Sequence, residues 1–230
     1  MAIAEVIAFD IYRMGNLSKG DVVLDLGAGI GEYSIFASRK VGREGTVVSI
    51  EPNPDDFRTL EENLRGNSCS NVVAINKAFS ESSDKINLEF QGKSFSADTI
   101  SSSELMRILS LRGIYKMDVI KMDIEGAEVQ AVRALLDYLE GVKTISIELH
   151  GTRKAIDRLL NPLGFSFKET KRSDYFASAL LFSLLHPISS LKLLKLFSSS
   201  SQSFKIRDIV GKKDIYSSRN LQVGSYLREL

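Results

Sequence analysis

The chain has 230 residues, 43% of them hydrophobic and 26% charged, a composition that suits one large core with an appendage and excludes a disordered or fibrous protein. A single cysteine, Cys69, excludes an internal disulfide framework and points to a reducing compartment; with only two histidines besides, no structural zinc site is expected. The net charge of +1 hides an asymmetry, because residues 1–152 carry 16 Lys and Arg against 23 Asp and Glu while residues 153–230 carry 14 against 6, so an anionic partner would meet the C-terminal part unless that part is simply a basic surface.

The chain opens with "MAIAEVIAFDIYRMG", which has no basic stretch ahead of an apolar core and does not read as a signal peptide; a cytoplasmic location is expected. "VVLDL" (22–26) is the first predicted strand, and "EYSIFASRKVG" the helix after it. Between them stand Gly27, Gly29 and Gly31. A missing Cβ there admits positive φ and close approach of a ligand to the backbone, and the following helix N-terminus favours negative charge. The spacing is G-x-G-x-G. A dinucleotide fingerprint would place a glycine at position 32, where this chain has Glu32. Asp25, two residues before the first glycine, would repel a pyrophosphate but could accept from the turn or from the ammonium of a donor with an amino-acid end.

"TVVSIE" (46–51) follows as a strand and ends in Glu51, 20 residues past Gly31, where an acid can accept from both hydroxyls of a ribose. The helix "PDDFRTLEENLRG" and the strand "NVVAIN" (71–76) come next, then the strand "KINLEF" (85–90) and the helix "SSSELMRILSLRG". "DVIKMD" (118–123), the helix "AEVQAVRALLDYLEG" and "TISIEL" (144–149) complete an alternation that predicts βαβ units and a mainly parallel sheet covered on both faces. In "DVIKMDIEGAE", Lys121, Asp123 and Glu125 share one face if the segment is extended. Either Lys121 forms an ion pair with Asp123 or Asp25, or Asp123 and Glu125 project into the ligand crevice. Glu128 is expected to start the next helix, where its charge suits the dipole. Glu148 and His150 end the following strand on one side. His150 or Asp123 could serve as general base toward a hydroxyl; a magnesium role for Asp123, Glu125 and His150 is the weaker reading, and no metal is expected.

The segments "DVVLDLGAGIGEYSIFA", "SIEPNPDDFRTLEENL", "DVIKMDIEGAE" and "SIELH" resemble, in order, the signatures of the FkbM-type methyltransferases, a branch of the class I S-adenosylmethionine-dependent enzymes. The resemblance covers roughly residues 17–170. It implies a Rossmann-like, mostly parallel seven-stranded sheet with the last strand antiparallel, S-adenosylmethionine as cofactor, and an oxygen acceptor on a sugar, glycolipid or small metabolite. By position it implies that Gly27, Gly29 and Gly31 face the methionine end of the donor, that Glu51 holds its ribose, and that Ala78 and Phe79 line the adenine. Asp25 and Asp123 would complete the cofactor set, with Asp123, Glu125 and His150 as catalytic candidates. The family's acid in a T-L-D element is replaced here by Ser101.

After a sixth strand in "PLGFSFKE", residues 176–197 are strongly apolar but interrupted by His186, Pro187, Lys192 and Lys195. A membrane span is disfavoured, and two short amphipathic helices split near Pro187 are expected. They would form a lid, a homodimer contact or a peripheral membrane element. "NLQVGSYLREL" offers the final strand. The expected domains are a cofactor-binding core (1–170), a helical insertion (171–215) and the core's last strand (216–230). The competing functions are RNA methylation through the basic C-terminal part, with nucleic acid the less favoured partner, donor binding without catalysis, and NAD-linked oxidoreduction.

Overall fold

The protein is described here by a computed structural model covering residues 16–90, 92–169 and 221–228. Ten strands and five α-helices alternate along it: β1 (Val22–Leu26), α1 (Glu32–Val41), β2 (Thr46–Ile50), α2 (Pro54–Gly66), β3 (Val72–Ile75), β4 (Ala78–Phe79), β5 (Lys85–Phe90), β6 (Lys93–Ile100), α3 (Ser102–Ser110), β7 (Val119–Met122), α4 (Glu128–Leu135), β8 (Thr144–His150), α5 (Arg153–Leu160), β9 (Phe165–Glu169) and β10 (Leu221–Arg228). Seven strands form one sheet in the order β3-β2-β1-β7-β8-β10-β9. All neighbours pair in parallel except β10, which runs antiparallel to both β8 and β9.

The two-residue period of the strands decides which side chains meet which layer. In β1, Leu24 and Leu26 face a core shared with Ile120, Met122, Ile145 and Ile147 and with Leu105, Leu109, Val132 and Leu135 of the helices. Val23 faces the other way, onto Tyr33, Ala37 and Val41 of α1. Asp25 lies on that second side, fully buried, where the Ser34 hydroxyl of α1 donates to it at 2.6 Å. Chain order turns back between β1 and β7, since β2 and β3 extend one way and β8 the other. Open α/β sheets hold their ligands at the carboxyl ends of the strands flanking such a point.

"KINLEF" is a strand as expected, but it belongs to a separate three-stranded sheet, β4-β6-β5. Its antiparallel partner β6 ("KSFSADTI") carries too many small and polar residues to announce itself. Helix α5 was also not expected; Ile156 and Leu160 bury one face of it. The expected helix over 127–141 ends at Leu135 and continues as a 3-10 turn, Leu136–Tyr138. The expected final strand is observed at Leu221–Arg228. The helical insertion of 171–215, with the apolar stretch 176–197, lies outside the described residues, as does the N-terminal segment 1–15. Among the described residues no helix is long and apolar enough to cross a membrane.

Candidate functional site

The three glycines of the turn after β1 do different work. A Cβ on Gly27 would stand 1.9 Å from the Asp123 carbonyl oxygen, and one on Gly31 would stand 2.5 Å from Leu60, so both are glycine because protein fills the space. Only Gly29 faces open space, at φ +55°. The turn's amides are largely engaged within the protein: Gly27 and Ala28 donate to the Ile50 carbonyl at 3.0 and 3.1 Å, and Gly29 donates to Glu51 Oε2 at 2.8 Å. Two of its carbonyls are held from below, Gly27 by Lys121 Nζ at 2.6 Å and Ile30 by Asn63 Nδ2 at 2.8 Å. Neither Lys121 nor Asn63 was expected to pin the turn, and no local pattern marks them for it.

Asp25 is placed differently from the expectation that it accepts from the turn or from a donor's ammonium. It is fully buried beneath the turn, with Ser34 on one oxygen and Lys121 Nζ 3.1 Å from the other. The ion-pair alternative for Lys121 is therefore the one observed, with Asp25 as its partner, and Asp25 acts on the site through the turn. Burial alone would lower the lysine, but the charges of Asp25, Asp123 and Glu51 raise it, so it stays an ammonium. Removing one member of such a buried pair costs roughly 3–5 kcal/mol.

Glu51 follows β2 and is 6% exposed. Its oxygens accept from Gly29 N–H and Asn53 N–H, both at 2.8 Å. Burial pushes its carboxyl up, opposed by those two amides. Each oxygen keeps a second lone pair, which suits a vicinal diol. Asn76 ties the end of β3 to this point, its amide donating to the Glu51 carbonyl at 2.8 Å. A cavity of about 190 Å³ lined by Pro52, Pro54, Asn76 and Ala97 adjoins it. Ala78 and Phe79, expected at an adenine, form the short strand β4; Ala78 is 6% exposed and Phe79 packs partly against the main core. Ser101, where the resemblance led an acid to be expected, is the N-cap of α3 and accepts from the Glu104 amide at 3.2 Å.

Beyond β7 the alternation ends. Asp123 is half-buried, its amide bonded to the Leu26 carbonyl at 3.0 Å, whereas Glu125 turns outward in the left-handed region at φ +46°. Asp123 and Glu125 thus do not share a strand face, because the strand stops at Met122. Glu125 instead reaches His150, with its Oε2 3.2 Å from Nε2. The other ring nitrogen, Nδ1, lies 2.7 Å from Glu128 Oε1. Glu128 starts α4 as expected, yet it is fully buried, and it also accepts from the Gly126 amide at 2.7 Å and the Thr152 hydroxyl at 3.0 Å. Burial alone would lower the imidazole; the hydrogen bond to Glu128 and the charges of Glu128, Glu125 and Glu148 outweigh it and raise the ring above its ordinary value. Glu128 is the residue that helix-dipole reasoning undervalued.

Glycine turn, Glu51, Asp123 and His150 thus share the rim formed by the carboxyl ends of β1, β2, β7 and β8. A larger cavity, of about 630 Å³, lies at the opposite end of the sheet, beside Val22, Thr46 and Arg112, away from this chemistry. Among the described residues no group of three or more His, Cys, Asp or Glu is arranged to hold a metal. The rim does fit S-adenosylmethionine: open space at Gly29, an uncapped helix N-terminus for the carboxylate end, and a carboxylate with spare lone pairs for the ribose.

Residues 25–172 match the family described as Methyltransferase FkbM domain. The chain is 28% identical to the hexuronic acid methyltransferase AglP of Haloferax volcanii over 177 residues, covering 70% of this chain and 71% of that one. It is 24% identical to methyltransferase sdnD of Sordaria araneosa over 207 residues, covering 70% and 80%. Among solved structures, a methyltransferase FkbM from Methylobacillus flagellatus superposes with a TM-score of 0.55 at 20% identity, over 71% of this chain and 44% of that one.

Proposed function

This chain belongs to the FkbM methyltransferase family and is an S-adenosylmethionine-dependent methyltransferase, and from that premise we propose that its acceptor is a hydroxyl of a sugar, free or carried on a glycan or lipid. The observation that carries the proposal is His150, a rim imidazole with one nitrogen anchored on Glu128 and the other turned to the side of the exposed Glu125. A hydroxyl must lose a proton when it is alkylated, and an imidazole within reach accepts it. The similarity to a hexuronic acid methyltransferase supports a sugar.

The bound cofactor supplies a methyl group on a sulfonium, already electrophilic. The protein then has three tasks. Glu51 accepts from the ribose hydroxyls, Gly29 leaves room for the methionine end, and the segment at Ala78 and Phe79 borders the adenine side. Lys121 and Asn63 keep the turn in the shape that leaves Gly29 open. His150, held by Glu128, would take on Nε2 the proton that the acceptor hydroxyl loses as it is alkylated. General-base assistance of this kind is worth about 10²- to 10⁴-fold, with alignment supplying much of the remainder.

The test is transfer from isotopically labelled S-adenosylmethionine to a panel of neutral hexoses, hexuronates, glycolipids and RNA. Label on a sugar oxygen, lost by at least about 100-fold in His150→Gln, is the expected result. Label on RNA alone, or on none of the sugars, would overturn it.

A further inference from the structure

We propose that Glu128 is the positioning residue of His150, fixing the neutral ring with its proton on Nδ1 and its Nε2 lone pair toward the cleft, and that the acceptor oxygen takes the place the Glu125 carboxylate now holds. The inference deepens the methyl-transfer reading above and rests on it. Two features of Glu128 carry it. The residue is fully buried, although carboxylates avoid burial unless their lone pairs are used. It accepts from three groups drawn from its own turn, the end of β8 and the residue before α5: the Gly126 amide, the His150 ring and the Thr152 hydroxyl. That arrangement leaves it no freedom to rotate away, so the imidazole it holds is fixed in plane as well as in tautomer.

Glu125 differs from it in each respect. Its side chain is 67% exposed, its backbone sits in a region that non-glycine residues rarely adopt, and its contact with Nε2 is the longer one at 3.2 Å against 2.7 Å. An exposed carboxylate on Nε2 is readily exchanged for another oxygen. The oxygen that replaces it is neutral and carries its own proton, so the ring meets a donor where it met an anion. Both carboxylates, with Glu148 on the same strand, favour the charged ring while Glu125 is in place. Displacing Glu125 removes one of those charges, and with the Nε2 proton passing to the departing carboxylate or to solvent the ring is left neutral, its Nε2 lone pair free for the acceptor.

Nitrogen-15 NMR of the imidazoles in the full chain tests this directly, because only two histidines are present and His186→Gln removes the other signal. Above the ring's titration the wild type is expected to show the proton on Nδ1; a majority of the Nε2–H form overturns the proposal without any variant of Glu128. In Glu128→Gln the proton affinity of His150 is expected to fall about tenfold or more, with both tautomers populated, while S-adenosylhomocysteine affinity stays within a few-fold. An unchanged titration in that variant overturns the positioning role. Failure of the wild type to bind S-adenosylhomocysteine would instead strike the donor reading, and the two failures are thereby told apart.

Discussion

At the scale of single residues, the glycine turn makes a sharp contrast. Gly27→Ala drives a methyl group into the Asp123 carbonyl and is expected to cost more than about 3 kcal/mol, since the obstacle is backbone. Gly29→Ala meets nothing, so its cost is the left-handed φ alone, about 1–2 kcal/mol. Denaturant melts should rank them in that order, and Gly29→Ala should keep the fold while losing cofactor affinity. His150 supplies a second residue-level prediction. Its folded pKa is raised from the ordinary 6.5, so the ring's contribution to stability is fully present below 6.5 and disappears as pH rises through the folded value. Thermal melts from pH 6 upward should show that loss in the wild type and a flatter profile in His150→Gln. The existence of His150 at a strand end was legible in "SIELH", but its bond to Glu128, 22 residues away, was not, because pairing across β8 and α4 has no local signal. Asp25, by contrast, was legible as one of two candidate partners of Lys121; what the sequence left open was the choice between it and Asp123, because a pairing across 96 residues has no local signal.

At the scale of elements, the strands that entered the main sheet were the readable ones, because β1, β2, β7 and β8 are buried on both faces and show as near-continuous apolar runs. The small sheet was harder. β6 alternates small and polar residues, and its pairing with β5 places Lys85 opposite Asp98 rather than building an apolar face. Helix α3 carries the element-level prediction. Its N-cap is Ser101, at the position where the resemblance led an acid to be expected, and Ser101→Ala should cost about 1 kcal/mol, as lost caps do. Affinity for S-adenosylhomocysteine should be unchanged within error in the same variant. A drop in affinity without a drop in stability would mean that position 101 serves the ligand. The pair Lys77–Glu104, at 3.0 Å, holds α3 against the segment leading into β4 and links the cap to that side of the crevice.

At the scale of the whole molecule, function follows from where chain order reverses. β1 and β7 lie side by side although separated by five intervening strands, and the loops leaving their carboxyl ends diverge to opposite sides, opening the crevice that the glycine turn, Asp123 and His150 share. The βαβ rhythm made the parallel architecture legible, and the family resemblance added the seventh, antiparallel strand; β10 takes that place between β8 and β9. The opposite end of the sheet is closed instead by an ion cluster in which Lys143 contacts Asp21 at 2.9 Å and Asp118 at 3.3 Å, so the cavity there adjoins a stabilising network. The central claim is that the crevice at the carboxyl ends holds S-adenosylmethionine with Glu51 on its ribose. Calorimetric titration of the wild type and Glu51→Ala with S-adenosylhomocysteine, and separately with NADH, tests it most directly. Micromolar binding of the first, about −8 kcal/mol, lost in Glu51→Ala and absent for NADH, is the predicted result; no binding of S-adenosylhomocysteine to the folded wild type, or binding untouched by Glu51→Ala, would contradict it.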